Sequence, residues 1–211
     1  MSTLNILSIN TRRSPACIYA LFNNPLSSAS VDIILIQEPP LKPIIDPYFK
    51  IFYPNPPANR PSRTLVYINT QIDPASYHQC SSTPSGDLMA IDLTTREGLL
   101  RIINIYNAPT EMSSFALLPA LLEIRPHTTM VIVAGDINAH HPRWDPRTKA
   151  DRASRGRRIS EVLDMYNLDI FLPPGTDTYI NDRKNANTVS ATLDLVFWIY
   201  FNEGKDTYMR Y

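Results

Sequence analysis

Short apolar runs of about four to seven residues, rich in β-branched side chains and set between punctuated loops, recur along this chain and carry the signature of strands. They predict strands at about Leu4 to Ile9, Val31 to Ile36, Thr64 to Ile68, Leu88 to Leu93, Leu100 to Tyr106, Met130 to Ala134 and Leu193 to Phe197. "VDIILIQ" and "MVIVAG" are nearly continuous in apolar residues rather than alternating, which places them as central strands with both faces covered. Helical spacing is clearest in "SSFALLPALLEI", which opens on candidate Ser caps, and in "ASRGRRISEVLDMYNL", which sets Ile159, Val162, Leu163 and Tyr166 on one side. A weaker helix covers "SPACIYALFNN", with Pro15 in its first turn. Strands and helices interleave without strict βαβ alternation, so a layered α/β domain with mixed sheets is expected.

Length and composition narrow this further. A chain of 211 residues holds one sizeable core and is short for two domains. A hydrophobic content of 44% with 19% charged residues excludes a disordered chain, and 19 prolines against 6 glycines predict stiff connections. Lys+Arg and Asp+Glu balance at 20 each, so any nucleic-acid contact must come from a local patch. Cys17 and Cys80 form no C-x-x-C pattern, consistent with a reducing compartment and no structural zinc. The N-terminus lacks a basic leader, and no stretch reaches about 18 uncharged apolar residues, so a soluble intracellular protein without a membrane span is expected.

The polar residues of interest stand at the ends of these apolar runs: Asn10, Glu38, Tyr106 with Asn107, Asp136 with Asn138, and Asp194. Met singly, each reads as a turn former. Five such ends together suggest a site assembled at one edge of a layered sheet. Carboxylates, carboxamides and a tyrosine, without thiolates, form a hard oxygen set suited to Mg²⁺ or Mn²⁺. Such an ion favours phosphoryl chemistry, and phosphodiester hydrolysis is the natural match.

The ordered series "SIN", "IQEPP", "NIYNAP", "GDINAHHPRWD" and "ATLDLVF" resembles the endonuclease/exonuclease/phosphatase superfamily. "GDINAHHPRW" followed by "SRGRRISEVLDMYNLDIFLPPGTDTYI" is similar, more narrowly, to the endonuclease domain of non-LTR (LINE-type) retrotransposons, especially the fungal kind. The resemblance runs from about residue 4 to about 197. It implies a DNase I-like four-layer α/β sandwich, two mixed β-sheets flanked by helices. It also implies roles: Glu38 as principal Mg²⁺ (or Mn²⁺) ligand with Asn10 beside the metal, and Tyr106 bonded to the phosphate. Asp136 would activate water, Asn138 would stabilise the transition state, and Asp194 would orient a catalytic histidine, with Thr192 and Asn107 in support.

That histidine is the departure. The resemblance calls for a strand-borne "SDH" some twenty or more residues beyond the Asp-Leu motif, whereas 14 residues follow Phe197 and the four histidines are His78, His127, His140 and His141. The expectation is therefore a nuclease domain over 1–198 with an atypical tail over 199–211, lacking its last strand, opening a sheet edge next to the site and impairing catalysis. His140 and His141 are adjacent rather than at helical ligand spacing, and they read as loop packing beside Pro142 and Trp144.

One run could hold DNA: "PRTKADRASRGRR" supplies Arg147, Arg155, Arg157 and Arg158 among six cations opposed by one Asp151. A solvated helix start is the competing reading. Arg63 is a second candidate that reads equally well as loop. The function expected is Mg²⁺-dependent nicking of double-stranded DNA in the nucleus, priming reverse transcription together with an element's reverse transcriptase and RNA. Alternatives are an apurinic-site nuclease or lipid phosphodiesterase of the same superfamily, a non-catalytic DNA-binding remnant, and a pseudogene product.

Overall fold

The computed structural model describes residues 3–24, 30–54, 61–80, 85–111, 113–123, 128–181 and 189–200. Two mixed sheets stack face to face. The first contains β1 (Ile6–Asn10), β2 (Ile33–Gln37), β3 (Phe49–Phe52) and β4 (Thr64–Asn69) in the order β1-β2-β4-β3, with β1 parallel to β2 and the other pairs antiparallel. The second contains β5 (Tyr77–Cys80), β6 (Leu88–Thr95), β7 (Gly98–Tyr106), β8 (Thr128–Asp136), β9 (Asp169–Ile170) and β12 (Asp194–Tyr200), ordered β5-β6-β7-β8-β12-β9, with β7 and β8 parallel. A separate antiparallel pair, β10 (Tyr179–Asn181) and β11 (Val189–Ala191), leads into β12. Helix α1 (Pro15–Phe22) covers the first sheet, while α2 (Ser113–Glu123) and α3 (Ser154–Met165) cover the second.

Strand periodicity explains the layering. Successive side chains point to opposite faces, so Ile33 and Leu35 of β2 and Val66 and Ile68 of β4 meet Met89, Ile91, Leu100 and Ile102 between the sheets. Their neighbours Ile34, Ile36, Leu65 and Tyr67 face α1 and Phe22. On the far side, Val131, Val133, Leu195 and Phe197 face α2 and α3, where Leu118, Leu122, Ile159 and Leu163 are buried. Three apolar clusters between four layers, helix, sheet, sheet and helix, make the expected sandwich.

Two buried polar links fix the layers. Asn104 on β7 donates to the carbonyls of Ile36 (3.0 Å) and Leu65 (2.9 Å) in the opposite sheet and accepts from Gln37 Nε2 (2.7 Å). Arg101 holds both oxygens of Asp92 at 2.7 Å and donates to Leu121 O at 2.6 Å, satisfying a carbonyl in the last turn of α2.

Four strands do not cover six. Among the described residues β1 pairs with β2 alone, so its outer edge is open. Beside it Leu4, Ile6, Met130, Ile132, Val196 and Trp198 are only partly covered, forming an apolar trough between the sheets. No helix among the described residues is long and apolar enough to cross a membrane. The tail at 201–211 lies outside them.

Candidate active site

The same periodicity delivers the polar cluster. Ala134 faces the space between the sheets, and two residues on Asp136 does too, at the rim where the strand ends; Val196 and Asp194 on β12 are related in the same way. The register then sets Tyr106, Asp136 and Asp194 side by side on β7, β8 and β12. From the other sheet Asn10 ends β1 and Glu38 follows β2. Asn10, Glu38, Tyr106, Asp136, Asn138 and Asp194 all line one cleft of about 1190 Å³ that continues into the apolar trough.

Asn10 ties the two sheets together. Its amide nitrogen donates to Glu38 Oε2 at 3.1 Å and to Asp136 Oδ2 at 2.6 Å, while its Oδ1 accepts from the Arg12 N–H at 2.8 Å. In this arrangement Asn10 presents hydrogen-bond donors to both carboxylates, and its oxygen accepts from the backbone of the following turn. Asp136 Oδ1 accepts from the Asn138 N–H at 3.0 Å. Burial, with the charge of Asp194 adding to it, pushes the Asp136 carboxyl up to about 7 against these hydrogen bonds. Burial likewise raises Asp194, opposed by a hydrogen bond from Thr178 and the charge of Arg12. The Tyr106 hydroxyl is raised by burial and by Glu38 and Asp136, with Glu38 in hydrogen-bonding range.

Two of these residues have left-handed backbone, Glu38 at φ 47° and Asn138 at φ 47°. Asn tolerates this region; Glu rarely occupies it. The Glu38 turn is held by its carbonyl accepting from Thr11 Oγ1 and Arg13 N–H, both at 2.7 Å, and by its N–H donating to Arg63 O at 2.8 Å. Strain of this kind, about 1–3 kcal/mol, is sustained where the surroundings impose it, and it marks functional sites.

A divalent cation fits this donor set. Glu38 and Asp136 supply hard oxygens, a buried carboxyl beside Asp194 is held far above its ordinary range, and an amide bridges the two carboxylates in the absence of a cation. Among the described residues the only tight grouping of three His, Cys, Asp or Glu ligand atoms lies elsewhere, at His78, Cys80 and Asp92. There Asp92 is engaged by Arg101, and burial pushes the Cys80 thiol up to about 12, which makes it a poor ligand.

The remaining predicted residues lie around the cleft rather than in it. Buried Asn107 donates to Ile137 O (2.7 Å) and accepts from Ser114 Oγ (3.1 Å), joining the Asp136 loop to α2. Thr192 is buried and donates to Thr176 O (2.6 Å). Arg63 clasps Asp87 with two hydrogen bonds and lies over the Tyr106 ring, 5.2 Å from its centroid. Arg147 is engaged with Asp145, Asp177 and Ser190. Arg157 and Arg158 are exposed on α3.

Arg155 donates to the carbonyls of Ala108 (2.6 Å) and Glu111 (2.9 Å), bracing the loop after β7. Arg155→Ala is therefore expected to destabilise the protein by about 1–3 kcal/mol, read by urea unfolding, and to leave DNA affinity unchanged. Reduced affinity at unaltered stability would contradict this. His141 packs on Trp144 (ring centroids 5.0 Å apart), whose indole N–H donates to Ala139 O at 2.9 Å. Sequence reasoning missed Thr178, whose hydroxyl accepts from the N–H groups of Leu193 and Asp194, and the cleft residues Arg12, Arg13 and Tyr179.

The two mixed sheets flanked by helices form a DNase I-like α/β sandwich. Residues 100–199 match the family described as Endonuclease-reverse transcriptase. The endonuclease domain of TRAS1, a telomere-specific non-LTR retrotransposon, shares the fold with TM-score 0.74 and 18% identity over 92% of this chain and 84% of its own. The AP endonuclease LMAP from Leishmania major gives TM-score 0.63 and 14% identity over 92% and 78%. The Xenopus laevis APE2 catalytic domain gives 0.59 and 15% over 92% and 81%. At these identities the likeness is one of fold. No curated protein matches the sequence.

Proposed function

We propose that this chain hydrolyses phosphodiester bonds of double-stranded DNA with Mg²⁺ or Mn²⁺, nicking a target strand to leave a 3′-hydroxyl that primes reverse transcription. The observation that carries the reading is the convergence of Asn10, Glu38, Tyr106, Asp136, Asn138 and Asp194 on one cleft, with Asp136 poised near neutrality. Glu38 would hold the ion, with Asn10 setting the spacing between its carboxylate and that of Asp136. A bound divalent cation supplies charge stabilisation to the phosphoryl oxygens. Tyr106, backed by Arg63, hydrogen-bonds the phosphate. Asp136 orients the water and takes its proton, a task suited to a group near the working pH. Asn138 steadies the charge that develops. In the element the nicked end serves a reverse transcriptase on the element's RNA, in the nucleus, and residues 1–198 form the nuclease unit.

No histidine lines the cleft among the described residues, so nothing there serves as the general acid that Asp194 would orient. Hydrolysis is accordingly slowed by about 10²- to 10⁴-fold. The test is plasmid nicking with Mg²⁺ against EDTA, beside Glu38→Ala. Slow nicking, stopped by EDTA and absent in the variant, with nicks that a polymerase extends, is the expected result. DNA binding without any nicking would favour a non-catalytic remnant, and robust nicking lost in Glu38→Ala would overturn the impairment.

A further inference from the structure

Arg12 and Arg13 follow the Asn10 strand end, and none of the roles above uses them. Both have left-handed backbone, φ 48° and 59°, a conformation that long side chains seldom adopt. The turn is held there by the Arg12 N–H on Asn10 Oδ1, the Arg13 N–H on Glu38 O and the Ser14 N–H on Thr11 O (2.9 Å). The catalytic strand end and this turn are therefore one rigid piece. Both arginines are exposed and line the cleft mouth. Arg12 Cζ lies 5.1 Å from the centroid of the Tyr179 ring, across the cleft on β10, and its charge reaches Asp194.

Physical chemistry gives this arrangement a purpose. A cleft floor with three carboxylates repels a polyanion, so a strand drawn over it needs cations at the rim. Arginine stacked on an aromatic face is pre-oriented while its N–H edge stays free for bidentate contact with phosphate. Phosphates recur every 3.4 Å or so of axis along one DNA strand, so a phosphate next to the scissile one falls within an arginine's reach.

We propose that the turn at residues 10–13 is a phosphodiester-binding subsite, in which Arg12, steadied on Tyr179, and Arg13 grip the DNA backbone phosphate adjacent to the scissile one and set which bond lies over Asp136. The inference rests on the DNA-nuclease reading. It is tested by fluorescence anisotropy of a short labelled duplex in EDTA, titrated with salt, which requires no turnover. Arg12→Gln/Arg13→Gln is expected to lower the slope of log affinity against log salt by about two, shrinking the affinity lost between ~50 and ~200 mM salt about tenfold. Arg13→Gln alone lowers the slope by about one. Tyr179→Leu weakens binding about threefold with the slope retained. Arg96→Gln, on the exposed turn at the far end of β6 and β7, leaves affinity and slope unchanged.

A double variant that folds, as judged by circular dichroism, and binds with the parent's affinity and slope overturns the inference alone. If the double variant does not fold, an unchanged slope in Arg13→Gln overturns it equally. A parent that shows no salt-dependent binding overturns both this inference and the nuclease reading.

Discussion

Asp136→Asn is expected to abolish nicking, by about 10²- to 10⁴-fold, while making the metal-free protein more stable at pH 8 by about 1–3 kcal/mol. The gain follows from what the native carboxyl endures. It is buried beside Asp194, and burial first, then that neighbouring charge, pushes it up to about 7. A carboxyl raised on folding favours the protonated form in the native state. Its stability contribution is therefore complete below about pH 4, the unfolded value, and drains away as pH rises to about 7. Asn carries no charge to desolvate and keeps an oxygen for the Asn138 N–H. It loses the Asn10 bond to Oδ2, which trims the gain. Urea melts in EDTA at pH 5 and pH 8 check this: the variant's advantage grows with pH, and added Mg²⁺ closes it by stabilising the parent preferentially. A variant less stable than the parent at pH 8 in EDTA would contradict the account.

Gly135→Ala is expected to cost on the order of 3 kcal/mol or more and to remove activity by a different route. Gly135 has φ +152°, and a Cβ built there would lie 1.9 Å from Ile105 O and 2.9 Å from Ile105 C in the neighbouring strand. Both obstacles are backbone, and Ile105 is Gly135's register partner in the parallel β7–β8 pair. An alanine must push these strands apart one residue before Tyr106 and Asp136, which the same register sets side by side. Thermal unfolding measures the loss, and a parent-like melt with retained nicking would refute it. Gly156 in the first turn of α3 meets a related limit, with its Cβ position 2.2 Å from His140 O. The glycine in "SRGRR" thus lets the helix press against the loop after Asp136, and it accounts for the place of His140 and His141 better than any ligand role does.

The strands that periodicity foretold are β1, β2, β4, β6, β7, β8 and β12, whose apolar runs are long and rich in β-branched residues; β2 and β4 are buried on both faces. Those it missed have a polar or exposed side. Examples are β3 "FKIF", β5 "YHQC" and the short β9, β10 and β11, whose pairing is decided by tertiary partners rather than by their own pattern. The three α-helices of the described residues were all legible, because each keeps an apolar stripe; Pro119 inside α2 does not interrupt it. The site divides in the same way. Asn10, Glu38, Tyr106, Asp136 and Asp194 could be found because each ends or begins an apolar run. Thr178, Asp87 and Asn104 could not, since their use depends on Asp194, Arg63 and Gln37, which lie 16, 24 and 67 residues away in sequence. Arg155 and Arg147 read as part of a basic run, yet geometry commits them to carbonyls and carboxylates.

The open edge of β1 bears on how the site moves. Asp136 rides on β8, which is laddered on both sides by β7 and β12, and Glu38 follows β2, laddered by β1 and β4. Asn10 and the arginine turn ride on a strand held, among the described residues, on one side only. Local opening free energies fall where backbone pairing is one-sided and the apolar cover is incomplete, so amide exchange in β1 outpaces that in β2 and β8. The cleft accordingly has one fixed wall and one compliant wall, and the compliant one carries Asn10 and the arginine turn.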